Sequence, residues 1–272
     1  MAKKLEEGGK DVTLFAPADS VKKIQDAIPS TANLSVHDFS TRTNPENIIG
    51  GNCTTTEWLG RLPSLDLFEE VICDNLPEIL ERRPDAVLSA QFFWHDILET
   101  TDGAYRKRCE KVLNLYRPVV LGHYLFSMHA VRSQPGFKSV GLFRSPELVA
   151  ASRKITPKDR TDLLITGGTT PAIRDQLDQI VRELIRKGPY PYRRVHVDPE
   201  IFPHNAPDWL VKADFTTSMY CSLRAAICRP GLGVLTDLLT VGVKPSVLFE
   251  EGNAEMAHNA AVIQELMQDT HL

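Results

Sequence analysis

Short apolar runs alternate with amphipathic stretches along most of this 272-residue chain, a pattern that predicts a parallel α/β architecture. The run at 11–16 (DVTLFA) reads as a strand, preceded by a short helix that ends at Gly8-Gly9. Residues 67–82 place apolar positions at helical spacing and lead through Arg83-Pro84 into a strand at 85–89. Another strand is expected at 118–122 (PVVLG), whereas 33–65, rich in Thr, Asn and Gly, reads mostly as loop. Between 133 and 157 chain breakers accumulate, which predicts a seam between two domains, 1–145 and 158–272. The second block then reads as a strand at 162–166, a helix at 171–187 and a strand at 194–197. Residues 207–220 lead through a helix into a strand at 225–228. A helix at 234–240, a strand at 246–249 and a last helix at 257–267 follow.

Composition narrows the class only a little. Hydrophobic residues make up 42% and charged residues 24%, as in ordinary globular proteins. A net charge of −4 gives no overall attraction to nucleic acid or to an anionic membrane, and leaves room only for a local basic patch. The five cysteines are scattered, without a CxxC pair or a Cys/His cluster, so they read as reduced core residues of a cytoplasmic protein. Residues 1–10 are charged and lack the apolar stretch of a signal peptide. No run approaches the ~18 apolar residues of a membrane span, which leaves peripheral contact as the membrane option. No metal-ligand spacing is present, and no Asp-x-Asp.

The densest chemistry lies in AICRPGLGVLTDLLTVGVKPSVLFEEGNAEMAHNA, residues 226–260. A short β-run ends at Arg229-Pro230-Gly231-Leu232-Gly233, and a helix opens directly after it. Glycines there let backbone N–H groups approach an anion, and the helix N-terminus adds partial positive charge. Arg229 can set a guanidinium against the same phosphates. Asp237, one turn into the helix, can accept hydrogen bonds from ribose hydroxyls. A second strand ends at an acidic loop, 250–255, close to His258 and Asn259. Each piece alone has an ordinary reading as a turn or a helix-start acid; the ordered set is the informative feature. Leu164–Pro171 (LITGGTTP) supplies a second Gly-rich turn, with Gly167, Gly168 and Thr169 between strand and helix.

This set resembles the nucleotide-sugar signature of the two-lobed (GT-B type) glycosyltransferases, which include the UDP-glycosyltransferases and the MurG enzymes. Gly231 matches their loop glycine, and Asp237 falls at the ribose-binding Glu. Gly242-Val243 and Pro245 match Gly-Val-Pro around an inserted Lys244. Glu255 stands at the Asp of Asp-Gln, and Asn259-Ala260 completes the pattern. Arg229 replaces a phosphate-facing His, Val234 a frequent Ser or Thr, and Met256 the sugar-contacting Gln. The resemblance implies two Rossmann-like domains, with the Gly167–Thr169 turn facing the donor diphosphate. It also implies a nucleotide-sugar co-substrate, UDP-linked, with no metal and no separate cofactor, and an inverting transfer to a small-molecule or lipid acceptor. Relative to the family, the chain opens near the first helix, so the N-terminal domain is expected to lack its first strand.

In the N-terminal half, His95 follows the strand at 85–89, at the strand end where α/β sheets place ligands. It is the candidate general base for an acceptor hydroxyl, with an aromatic patch at a helix start as the plainer reading. His123, after PVVLG, is a weaker candidate, and His129, His196 and His204 have no supporting pattern. Two other activities fit the same residues: an epimerase or hydrolase acting on a UDP-sugar, and a non-catalytic nucleotide-sugar-binding relative.

Overall fold

The computed structural model describes residues 9, 11–16, 34–38, 57–97, 103–167 and 173–268. The chain divides into two compact units, Met1–Gly141 and Leu142–Leu272.

In the first unit, β1 (Val12–Ala16) and β2 (Leu34–Asp38) pair in parallel. A parallel sheet of four follows, in the order β3 (Ile72–Asp74), β4 (Val87–Ser89), β5 (Val120–Gly122) and β6 (Phe137–Ser139). Among the described residues of this unit the helices are α1 (Glu57–Arg61), α2 (Trp94–Ile97), α3 (Gly103–Tyr116) and α4 (His129–Arg132). The short helix expected before Gly9 lies outside the described residues. The long helix expected at 67–82 does not form; the segment holds two short 3-10 turns, Leu65–Leu67 and Pro77–Glu81, around β3. Asn75, at φ +59°, and Pro77 break any helix there, and Ile72 and Cys73 find parallel partners in Val87 and Leu88. Arg82 and Arg83 replace the missing helical bonds. Their guanidiniums donate to the carbonyls of Leu59, Leu62, Pro63, Leu65 and Phe68, fastening the 59–68 stretch to the sheet.

The core of this unit gathers Leu80, Leu88, Phe93, Val112, Leu113 and Val120. One carboxyl is sunk in it. Glu78, 1% exposed, accepts the Trp58 indole N–H at 3.3 Å and the Tyr105 hydroxyl at 3.1 Å. Burial pushes its pKa up against these donors.

The second unit has β7 (Asp162–Thr166), β8 (Val195–Val197), β9 (Leu210–Lys212), β10 (Leu223–Cys228) and β11 (Pro245–Val247). Its helices are α5 (Pro146–Ser152), α6 (Arg174–Lys187), α7 (Thr217–Ser222), α8 (Leu232–Thr240) and α9 (Ala254–Gln268). All five strands run parallel in the order β11-β10-β7-β8-β9. Leu163, Ile165, Val195 and Val197 pack against Leu177 and Val181 of α6. The expected elements recur here with end shifts of a few residues. The additional strand is β9, whose three residues are too few to register as a period. Among the described residues, no helix is long and apolar enough to cross a membrane.

Candidate functional site

Taken in chain order, the strands of the second sheet lie 5-4-1-2-3. The winding direction therefore reverses between β7 and β10, and open α/β sheets bind ligands at the carboxyl ends of the strands flanking such a reversal. Both Gly-rich turns emerge there. Thr166 and Cys228, the last residues of β7 and β10, are register partners, and the Arg229 N–H donates to the Thr166 carbonyl at 3.2 Å. Gly167 is described and buried; Gly168 and Thr169 lie outside the described residues. Thr166 Oγ1 donates to Asp198 Oδ2 at 2.7 Å, tying the end of β7 to the residue that follows β8.

Gly231 is the N-cap of α8, and no side chain caps the helix, so Leu232 and Gly233 present an uncapped first turn. Neither glycine is demanded by the fold. Gly231 has φ −69°, and a Cβ added at Gly231 or at Gly233 would meet nothing within 4 Å. What their lack of a side chain leaves is room for a group from outside to approach the backbone.

The rest of the expected set surrounds this turn with more internal bonding than the sequence suggests. The Arg229 guanidinium forks onto Glu250, Nε to Oε2 at 3.0 Å and Nη2 to Oε1. Asn253 Nδ2 adds a bond to Glu250 Oε1 at 2.6 Å, and Asn253 Oδ1 accepts the Met256 N–H at 3.0 Å, at the start of α9. The guanidinium holds the Glu250 carboxyl well below its usual range, at about 2. Asn259, 1% exposed, donates to the Pro230 carbonyl at 2.9 Å, so it shapes the turn from beneath. Asp237 bonds the hydroxyl of buried Tyr220; burial raises the Asp237 pKa, partly offset by that bond. Glu255 sits in the first turn of α9, and neighbouring Met256 is 1% exposed, turned into the core.

In the first unit, His95 stands in α2 as placed, but 2% exposed. Its ring stacks on Phe93 at 5.6 Å, Nε2 lies 3.6 Å from Asp96 Oδ1, and Nδ1 is buried with no partner. Burial lowers its pKa, so it is a neutral imidazole at pH 7. His123 Nδ1 accepts the Leu125 N–H at 3.3 Å, which makes it part of the turn after β5. Asp74, at the carboxyl end of β3, was hidden in the apparent helix at 67–82. The residue is exposed, yet desolvation at the strand end pushes its carboxyl up to about 6. The Asn75 side chain beside it accepts the Gln91 N–H at 3.2 Å, and Gln91 Nε2 is buried without a partner. The signal available in the sequence was the sheet-like Val-Ile-Cys run before Asp74-Asn75.

No protein-family model matches the sequence, and no curated protein matches it. Among solved structures, the chain is similar to the crystal structure of MurG from Acinetobacter baumannii, at 16% identity and a TM-score of 0.55. The similarity covers 97% of this chain and 78% of that one. At such identity the likeness is one of fold: two Rossmann-like domains of the GT-B type.

Proposed function

We propose that this protein is a glycosyltransferase. It moves a hexose or N-acetylhexosamine from a UDP-linked sugar to an acceptor hydroxyl, without a metal ion and with inversion. The observation that carries the reading is the uncapped first turn of α8, opening beside β7 at the reversal of the sheet, with two glycines that packing does not require. Backbone N–H groups of Leu232 and Gly233, with the helix dipole, suit a diphosphate that gains charge as it leaves. The turn after Thr166, including Gly167, Gly168 and Thr169, faces the same charge in this reading. Asp237, oriented by Tyr220, takes the ribose hydroxyls, and Glu255 takes the sugar. Arg229 and Asn259 shape the turn, with Arg229 also within the electrostatic field of the phosphates.

For proton removal from the acceptor, His95 and Asp74 are the candidates. His95 is buried between the rings of Phe93 and Tyr105, with Asp96 beside its Nε2. Asp74 is exposed. Its titration near 6 leaves it a base at neutral pH. Asp74 is therefore the preferred base in this reading.

Thermal-shift titration with UDP-, GDP- and TDP-sugars tests the donor assignment, because a ligand of the folded state raises the melting temperature. UDP-sugars should stabilise most. A labelled donor then separates transfer, which needs an acceptor, from hydrolysis or epimerisation, which do not. No stabilisation by any nucleotide sinks the reading.

A further inference from the structure

Pairing between β7 and β10 stops where the two Gly-rich turns begin: Thr166 and Cys228 are the last register partners of these strands. Beyond that pair each chain leaves the sheet through a turn that contains glycine, and glycine gives a turn many conformations rather than one. A ligand that binds such turns must order them, and the ordering costs affinity unless something at their root has already fixed it.

Thr166 lies at that root. It immediately precedes one turn and bonds the other: its carbonyl accepts the Arg229 N–H at 3.2 Å, the first residue of the stretch that leads into α8. The Thr166 side chain is fully buried, and its hydroxyl donates across to Asp198 Oδ2 at 2.7 Å. Asp198 is buried too, and is held on two further sides. Its N–H donates to the Ile165 carbonyl at 2.9 Å, which extends the ladder between β7 and β8 by one residue, and its Oδ1 accepts the Glu200 N–H at 3.1 Å. A threonine hydroxyl carries one proton, and here Asp198 takes it. Thr166 therefore has no proton to give a phosphate, so its hydroxyl acts by fixing the strand end and not by touching a ligand. A buried threonine can satisfy itself on a carbonyl of its own chain. This one reaches instead to the neighbouring strand, at the residue where the pairing ends.

We propose that Thr166 and Asp198 form a brace that positions the two Gly-rich turns relative to each other before ligand arrives, both residues acting as positioning groups. That the ligand of these turns is a diphosphate rests on the function proposed above; how the turns are held does not.

Two substitutions at one position separate the brace from simple packing. Thr166→Val keeps the shape and removes the proton, and Thr166→Ser keeps the proton. In calorimetry with UDP, Thr166→Val should lose roughly tenfold in affinity through the added cost of ordering, and Thr166→Ser should recover it. Uridine, which lacks the diphosphate, should bind the Thr166→Val protein as it binds the parent. Asp198→Ala should also weaken UDP, and adding Thr166→Val to it should lose little more, because both changes remove the same bond. Asp198→Ala also reads the brace if Thr166→Val does not fold. Equal losses for UDP and uridine, fully additive losses in the double variant, or no rescue by serine overturn the proposal. Hydrogen exchange in the ligand-free protein is an independent readout. The Arg229 amide should exchange faster in Thr166→Val and in Asp198→Ala than in the parent or in Thr166→Ser, and unchanged exchange also overturns the brace. A parent protein that does not bind UDP strikes the donor assignment, and the exchange rates then decide the brace alone.

Discussion

At the turn after β10, the Arg229 guanidinium already has an anionic partner, and a diphosphate must share or displace it. On the proposed reading Glu250 competes with the diphosphate, and Glu250→Gln should tighten UDP binding by releasing the guanidinium. Arg229→Ala should weaken it by about 1.5–3 kcal/mol, the range for a charged hydrogen bond. That single change also strands the Glu250 carboxylate, so Arg229→Ala with Glu250→Gln is the cleaner protein for the titration. Calorimetry with UDP checks both; an affinity unchanged in all three proteins removes Arg229 from the site. The acceptor base is tested in the same way. Asp74→Asn should keep the UDP thermal shift and lose roughly 10²–10⁴-fold in transfer rate, and the parent rate should fall as pH drops through about 6. His95→Ala should chiefly lower stability, by leaving a cavity beside Phe93. A normal rate in Asp74→Asn with a collapsed rate in a folded His95→Ala would reverse the assignment.

The first turn of α8 predicts a trade between stability and binding. Gly233 lies inside the helix with open space over its Cα, so Gly233→Ala should raise stability by up to about 1 kcal/mol through helix propensity alone. The same methyl group occupies the approach to the backbone and should weaken UDP. Thermal melts with and without UDP read both effects, and gained stability with undiminished affinity would place the nucleotide elsewhere. This turn was legible in the sequence because a strand end, its glycines and a helix start are local signals. β3 was not, because three extended residues between 3-10 turns carry apolar spacing that also fits a helix; only pairing with β4 decides. The fork from Arg229 to Glu250 spans 21 residues, and no spacing rule reports which acid a given arginine will meet. Nor did the pattern reveal that β10 inserts beside β7, which is what brings the two Gly-rich turns together.

The molecule as a whole responds to acid partly through Glu250. Unfolded, this carboxyl titrates near 4.5; folded, near 2. Its contribution is therefore complete above pH 4.5 and is lost as pH falls toward about 2. Glu250→Gln should flatten that limb of the stability curve, as seen in denaturant melts across the acid range; a limb of unchanged steepness would show that the ion pair adds nothing net to folding. The insertion of β10 beside β7 also has a consequence in time. Thr166 and Cys228 sit side by side with the whole of α6, β8, β9 and α7 strung between them, and closing so long a stretch of chain is slow compared with coiling a helix. A refolding or newly synthesised chain can thus hold most of its helices while the cradle between the two turns does not yet exist. On the proposed reading, competence for nucleotide would arrive late, with the strand that completes the sheet, so recovery of UDP binding should clock the end of folding rather than its beginning.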